Sequence, residues 1–325
     1  MLLVSNNKET TSRPMQNAND LVIVNIADFY LCYHQNDFTL EHILKDPRAR
    51  IVIPEEVEPL PLHPVDIAAL WNSSSYVQAL NLLFIHFWRS GLDFTYLDIG
   101  ANVGLVTIAT ALFFKSSGRS NPIIAFEPGP TFECLERAVV LNQVGDICTC
   151  SRLAVGDHSG QMAFHSFPAN SSVNSTISAK ADFLRQYESR VDIVGCTSID
   201  DFVDRHGINS NLICKIDTEG ADLSVIGGME SCMATRFTPM LFEFTPALVS
   251  TYVNPVARLV EVSARFSLFE PHGVAFQEIP SRTSAIGEFV ERVSRSPEGY
   301  IDVVALPREL PNLDQLKSRL VTAVN

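Results

Sequence analysis

Short runs of adjacent apolar residues alternate along this chain with stretches where apolar residues recur every third or fourth position. The first pattern predicts buried strands and the second amphipathic helices. Residues 1 to about 18 are polar and predict a frayed terminus. "LVIVNIADFYLCYH", starting at Leu21, predicts a strand or two, and "ARIVIP" (Ala49–Pro54) another short one. The Pro/Glu-rich Pro54–Pro64 reads as a connector. Helices are expected over Val65–Trp71 and Ser75–Arg89, the second carrying Val77, Leu80, Phe84 and Trp88 on one face.

From Thr95 the order is strand, helix, strand, helix. "TYLDIG" is a strand, Gly104–Phe114 a helix with Gly118 past its end, and "PIIAFEP" (Pro122–Pro128) a buried strand. Thr131–Val140 is a helix with Thr131 as a candidate cap. Cys148–Val155 alternates as a third strand and Gln161–Phe167 follows as an extra one. Pro168–Arg190 is polar and reads as a lid or insertion. Ser198–Gly207 is a capped helix, Asn211–Gly220 a strand ending in charged residues, and Ala221–Met229 a short helix. Pro239–Pro246 is a buried strand and Ala257–Phe266 a helix, after which "FSLFEPHG" and "YIDVVALP" close the unit as a strand pair.

Repeated strand–helix alternation with apolar strands predicts an α/β fold, a parallel sheet covered on both faces. The chain divides into an N-terminal extension (1–90), a main domain (91–310) and a C-terminal helix (311–325). Ligands in such sheets bind beyond the carboxyl ends of the strands. The polar residues to interrogate there are Asp98, Asn102, Glu127, Asp157, Lys215, Asp217, Glu219 and Glu243.

Composition narrows the function. With 46% hydrophobic and 19% charged residues, a chain of 325 residues can bury a sizeable core. A net charge of −13 argues against nucleic acid as a bulk partner, because phosphate binding needs a basic surface. Seven scattered cysteines with no zinc-ligand spacing predict buried free thiols in a reducing compartment. The N-terminus lacks a secretory signal pattern, and no apolar run reaches the roughly 20 residues of a membrane span. A cytoplasmic location is the expectation.

The loop "DIGANVG" (98–104) carries the first candidate chemistry. Gly100 and Gly104 permit a tight turn beside the free N–H groups of a helix start. A dinucleotide loop wants G-x-G-x-x-G, but Asn102 stands where the middle glycine would be. Asp98 just before it is awkward beside a pyrophosphate and suits a cationic ligand. Glu127, at the end of the next strand, can accept from both hydroxyls of a ribose. Together these residues favour S-adenosylmethionine over NAD.

The chain here resembles the FkbM-type S-adenosylmethionine-dependent methyltransferases. The resemblance runs from about Tyr96 to Glu243 and rests on "DIGANVG" (98–104), "AFEP" (125–128), "LAVGD" (153–157), "NST" (174–176), "SIDDF" (198–202) and "KIDTEGAD" (215–222). It implies a Rossmann-like, seven-stranded methyltransferase sheet, mostly parallel, with an antiparallel last strand. It implies methyl transfer to oxygen, commonly a hydroxyl of a sugar, glycolipid or natural product, without a metal. Matching the motifs would place Asp98, Gly100, Ala101, Asn102, Gly104, Glu127, Pro128, Ala154, Asn174 and Asp217 at the cofactor.

In "KIDTEGAD", Lys215, Asp217 and Glu219 would face one side of a continuing strand, with Glu219 and Gly220 entering the turn. Charges at the mouth of an apolar sheet are costly unless paired or functional. The plainer reading is an ion pair of Lys215 with Asp217 or Glu243. The functional reading puts Asp217 next to the methyl group and Glu219 on the acceptor or its proton. Lys215 would then hold a carboxylate or a developing alkoxide. His158, His165 and His272 are lesser candidates for the base, and Asn174 and Ser175 for covering the cofactor. Two rivals stand beside this reading. An NAD-dependent dehydrogenase is disfavoured by Asp98 and the missing glycine, and a non-catalytic S-adenosylmethionine-binding module by the intact Asp98, Glu127 and Asp217. The expected partner is a small-molecule or carbohydrate acceptor, and residues 1–90 are candidates for acceptor binding or a homodimer contact.

Overall fold

The computed structural model describes residues 21–26, 29–34, 44–45, 49–52, 75–168, 170–178, 188–272 and 275–321. The helix expected over Val65–Trp71 lies outside them.

Strand β4 (Phe94–Ile99) is buried at every position, as a central strand covered on both faces must be. Tyr96 points into one hydrophobic layer and Leu97 and Ile99 into the other. Around β4 stand β5 (Ile123–Phe126), β6 (Cys148–Ser151), β10 (Asn211–Ile216) and β11 (Met240–Phe244), all parallel. Strand β14 (Ile301–Pro307) runs antiparallel between β11 and β12 (Phe266–His272), and β13 (Ala275–Ile279) folds back on β12 as the edge. The sheet order is β13-β12-β14-β11-β10-β4-β5-β6. It holds eight strands rather than seven, because "AFQEI" pairs with "LFEPH" as a hairpin that the alternation reading leaves as a turn. The last strand is antiparallel.

One face is covered by α1 (Ser75–Arg89), α2 (Leu105–Ser116) and α3 (Phe132–Leu141). Phe84 and Phe87 of α1 pack on Phe94 and Phe114, so α1 shares the core of the main sheet. The opposite face is covered by α4 (Ile199–His206), α5 (Asp222–Gly227), α6 (Glu230–Thr235), α8 (Pro255–Arg265) and α9 (Thr283–Ser294). Between α6 and α8 lies the short α7 (Pro246–Val249), and α10 (Leu313–Val321) closes the chain. Ser198 caps α4 by accepting from Asp201 N, and Gly207 ends it in the left-handed conformation. Thr131 precedes α3 without a side-chain cap bond, contrary to the sequence expectation.

Two small sheets stand apart. Strands β1 (Leu21–Ile26), β2 (Phe29–His34) and β3 (Ala49–Val52) form an antiparallel unit, tied to α3 where Asn142 accepts from Tyr30 N at 2.9 Å and donates to Tyr30 O at 2.7 Å. The strand expected over Cys148–Val155 is split at Arg152–Leu153. Its second half, β7 (Ala154–Val155), joins β8 (Gly160–Ser166) and β9 (Arg190–Thr197). That break turns Leu153–Val155 away from the main sheet and beside the ends of β4 and β5.

Candidate functional site

At the carboxyl ends of β4, β5 and β10 the chain leaves a cavity. It is lined by Ile99, Gly100 and Asn102, by Phe126, Glu127 and Pro128, and by Leu153–Val155 with Phe164. Asp217, Thr218 and Glu219 form its far wall. Ser171, Ser172, Asn174 and Thr176 lie across it, and at about 140 Å³ it is smaller than the roughly 300 Å³ at which ligand sites usually begin.

The loop after β4 is shaped by backbone. Gly100 N and Ala101 N both donate to Phe126 O. Gly100 sits at φ +78°, and a Cβ there would lie 1.9 Å from the Asp217 carbonyl oxygen. Only glycine lets the two loops approach this closely. Asn102 (φ 51°) and Glu219 (φ 55°) are also left-handed, a conformation asparagine tolerates and glutamate rarely takes. Two non-glycine residues held this way in one cavity wall mark backbone strain maintained by the surroundings.

Glu127 sets the polarity of the near wall. It is 5% exposed, and its Oε2 accepts from Asn102 N at 2.9 Å and its Oε1 from Gly129 N at 2.8 Å. Burial pushes its carboxyl above the usual range, while these amides and the distant Lys215 oppose the shift. Asn102 Oδ1, Thr176 Oγ1 and Thr218 Oγ1 are buried and have no hydrogen-bond partner among the described residues. Such groups are costly unless a ligand or water satisfies them.

Behind this wall lies an ion-pair network. Lys215 is 3% exposed and Asp98 is fully buried. Lys215 Nζ donates to Gly100 O at 2.8 Å and lies 3.2 Å from Asp98 Oδ1 and 3.4 Å from Asp217 Oδ2. Thr107 donates to the other Asp98 oxygen at 2.5 Å. Burial alone would lower the ammonium's pKa. Asp98 and Asp217 outweigh it and hold the pKa above the ordinary lysine value.

The turn carrying Glu219 is held from three sides. Thr218 N and Gly220 N donate to Asp222, Ser175 Oγ donates to Glu219 O at 2.8 Å, and Tyr252 donates to Gly220 O at 3.0 Å. Burial, helped by Asp217, pushes the Asp222 carboxyl up to about 8.

Of the residues singled out in the sequence, Gly100, Asn102, Glu127, Pro128, Ala154, Asn174, Asp217 and Glu219 line this cavity. Asp98, Ala101, Gly104 and Lys215 are not among its lining residues. Asp98 was expected to face a cationic ligand and instead faces the protein's own ammonium. Lys215, expected to pair with Asp217 or Glu243 or to stabilise a developing alkoxide, is paired with Asp217 and also reaches Asp98 and Gly100 O from below. Strand β10 stops at Ile216, so Lys215, Asp217 and Glu219 do not share one strand face. The Asp217 side chain is 41% exposed and lacks the burial that the reading of it as a base required. His158 is exposed beside Asp157, and the backbone of His165 pairs with that of Ser175. Sequence reasoning passed over Phe126, Leu153, Phe164, Ser172, Thr176 and Thr218 on the wall, and Asp222 beneath the turn. Phe126, Leu153, Thr176, Thr218 and Asp222 fall within the quoted motifs but were given no role there, and Phe164 and Ser172 lie outside those motifs.

Glu243 of β11 joins Asp217 and Glu219, with carboxylate oxygens of the three within 4.8 Å of one another. Acidic groups gather this way without any ion, and the grouping alone does not make a metal centre.

A family model described as the methyltransferase FkbM domain matches residues 98–272, 175 of the 325. The chain belongs to the FkbM methyltransferase family. The FkbM match begins at Asp98 and takes in every residue named above on the cavity wall. A comparison with curated proteins gave no match. Among solved structures, the methyltransferase FkbM from Methylobacillus flagellatus is similar at 14% identity and a TM-score of 0.38, covering 74% of this chain and 57% of that one. This chain thus spans little more than half the length of that protein. The SAH-bound methyltransferase PaMTH1 from Podospora anserina is similar at 11% identity and a TM-score of 0.32, covering 78% of this chain and 91% of that one. No helix among the described residues is long and apolar enough to cross a membrane.

Proposed function

We propose that this FkbM-family chain transfers a methyl group from S-adenosylmethionine to a hydroxyl of a small-molecule or carbohydrate acceptor. The observation that carries the reading is Glu127. Each of its oxygens accepts one backbone N–H and keeps further acceptor capacity at the cavity wall, as a ribose diol requires. Asn102 Oδ1, Thr176 Oγ1 and Thr218 Oγ1, without a partner among the described residues, supply the remaining polar contacts of a nucleoside with an amino-acid tail. Phe126, Pro128, Leu153, Val155 and Phe164 form the apolar slot for the base. The residues present fit the donor.

S-adenosylmethionine supplies an electrophilic methyl carbon with a neutral thioether as leaving group. The protein aligns the acceptor oxygen behind that carbon, largely a matter of proximity and orientation. Asp217 stands nearest the reacting carbon, and Glu219, on its strained turn, accepts the hydroxyl proton. Lys215 acts through others. It fixes Gly100 O and Asp217 in one geometry and touches no reactant.

Calorimetry with S-adenosylhomocysteine and with NAD tests the donor assignment, and only the first should bind. Glu127→Gln should weaken that binding about 10- to 100-fold, the worth of one hydrogen bond to a charged group, with the fold intact. Glu219→Gln should keep binding and lose about 100-fold or more in turnover, the usual scale of general-base assistance, and Asp217→Asn should keep binding and lose turnover because the methyl group is no longer held in line. Binding of NAD, or normal turnover in both carboxylate variants, would overturn the reading.

A further inference from the structure

The far wall of the cavity rests on one buried acid. Asp222 opens α5, just behind the turn that carries Thr218 and Glu219, and is fully buried. Its Oδ1 accepts from Thr218 N at 3.4 Å and its Oδ2 from Gly220 N at 3.2 Å, one bond on each side of Glu219. The carboxyl thus brackets the residue held at φ 55°. Leu248 of α7 packs against Gly220 so closely that a Cβ there would lie 2.6 Å from it.

What surrounds this carboxyl favours the neutral acid. The acids facing this corner are Asp217 at the end of β10, Glu219 on the turn, and Glu243 on β11, the strand that α5 packs on. The bases are engaged elsewhere. Lys215 is held by Asp98 and Asp217, and Arg258 of α8 by Glu230 and Glu261. Tyr252, beyond α7, gives its hydroxyl proton to Gly220 O. No lysine, arginine or histidine among the described residues pairs with Asp222. Two amides do not replace the hydration of a full charge. Burial first, then Asp217, pushes the carboxyl up to about 8, and the amides of Thr218 and Gly220 oppose the shift.

We propose that Asp222 is a positioning residue of the donor site: as the neutral acid it locks the Thr218–Gly220 turn against the cavity, and loss of its proton releases that wall. The inference rests on the S-adenosylmethionine reading above and adds a regulation of that same site by pH. Asp222 touches no reactant and acts through Thr218 and Glu219. An opened turn lets water reach the carboxyl, which then ionises at its ordinary value of about 3.9. Closing the turn takes the proton back. The bias toward the closed turn is therefore greatest below about pH 4 and falls about tenfold per pH unit as pH rises toward 8. Above that both forms are ionised and the fall levels off. Donor affinity scales with the closed fraction and follows the same course.

Two measurements on the full chain test this. In calorimetry, the native chain should bind S-adenosylhomocysteine at least about 5-fold more weakly at pH 8.5 than at pH 6, as its closed fraction falls. Asp222→Asn should reduce that change to under about 2-fold, since an amide has no proton to lose. The ligand's own amine titrates against both chains alike, so the difference between them belongs to Asp222. Hydrogen exchange of the Thr218 and Gly220 amides in the unliganded native chain reads the opening directly and needs no variant. Their protection, corrected for the intrinsic rise of exchange with pH, should fall at least about 5-fold over the same range relative to the amides of β10. Equal pH dependence of binding in the two chains would overturn the proposal, as would protection of the turn that does not change with pH. Failure of the native chain to bind S-adenosylhomocysteine at pH 6 is a separate result that overturns the donor reading, and exchange at the turn still decides whether Asp222 locks this wall.

Discussion

Replacing Lys215 with methionine keeps the length of the side chain and removes the charge beneath the glycine loop. Asp98, fully buried, would keep only Thr107 of the partners described above. Its carboxylate must then stay charged in an apolar interior or take up a proton. Keeping an ordinary carboxyl protonated at pH 7 costs about 4 kcal/mol, at about 1.36 kcal/mol per pH unit above a value near 3.9. Removing one partner of a buried ion pair costs about 3–5 kcal/mol by general experience. The two routes agree, so Lys215→Met should lose about 4 kcal/mol of stability at pH 7. The folded variant holds a proton that its unfolded chain has released, so its deficit grows as pH rises and shrinks as pH falls. At pH 5 the same arithmetic leaves about 1.5 kcal/mol. Urea denaturation at both pH values measures this. Adding Asp98→Asn should return stability to within about 2 kcal/mol of the native chain, since a neutral pair has no charge to strand. Donor affinity should stay weak, because the bond to Gly100 O is still missing. A deficit under about 1 kcal/mol at pH 7, on a scale where lost buried pairs cost several times that, would refute the reasoning, and so would a double variant no more stable than the single one.

Gly100→Ala should cost more than Gly91→Ala although both residues have positive φ. Open space surrounds Gly91, whereas a Cβ at Gly100 meets Asp217 O. Strain alone is worth about 1–2 kcal/mol, and thermal melts showing equal losses would deny the clash. Asp222, with its carboxyl near 8 in the folded state, holds a proton there that the unfolded chain gives up at lower pH. The stability this group contributes is present below about pH 4 and is lost as pH rises through 8. The urea midpoint of the native protein should therefore fall from pH 5 to pH 8.5. Asp222→Asn should flatten that fall, and an unchanged slope in the variant would count against the assignment.

The main helices and parallel strands were legible because each has a period of its own. Ser75–Arg89 is found over the range its apolar spacing predicts, and Ser198–Gly207 shows both of its caps. Strand β9 was missed because Val191 and Ile193 are exposed, so its alternation does not separate an inside from an outside. Helix α9 was also missed, although Ala285, Ile286, Phe289, Val290 and Val293 are buried at helical spacing. Half of the site was legible as well. The glycine loop and Glu127 follow from local motifs, and both line the cavity. Of the two partners of Lys215, Asp217 followed from the sequence and Asp98 did not. The candidates near it in the sequence or at a strand end were Asp217 and Glu243, whereas register places Lys215 directly opposite Asp98 on the neighbouring strand. Side chains facing across paired strands touch however far apart they stand in the chain. Glu243 and Glu219, and Leu153–Val155 and Glu127, likewise meet only when strand ends and turns distant in the chain are brought together by the folded sheet.

That register has a further consequence, for how the molecule comes into being. The lysine and the carbonyl it holds are 115 residues apart in the chain. Pairing of β4 with β10 is a long-range event, slow to find and entropically expensive to close. During synthesis β4 and its helix emerge early and must wait for the chain to be extended past Ile216 before the sheet gains its central partner. Until then Asp98 is an acid without its ammonium, and the Asp217 carbonyl that Gly100 makes room for has not arrived. The cavity at the strand ends is therefore a late acquisition of the growing chain, formed when the middle of the sheet closes.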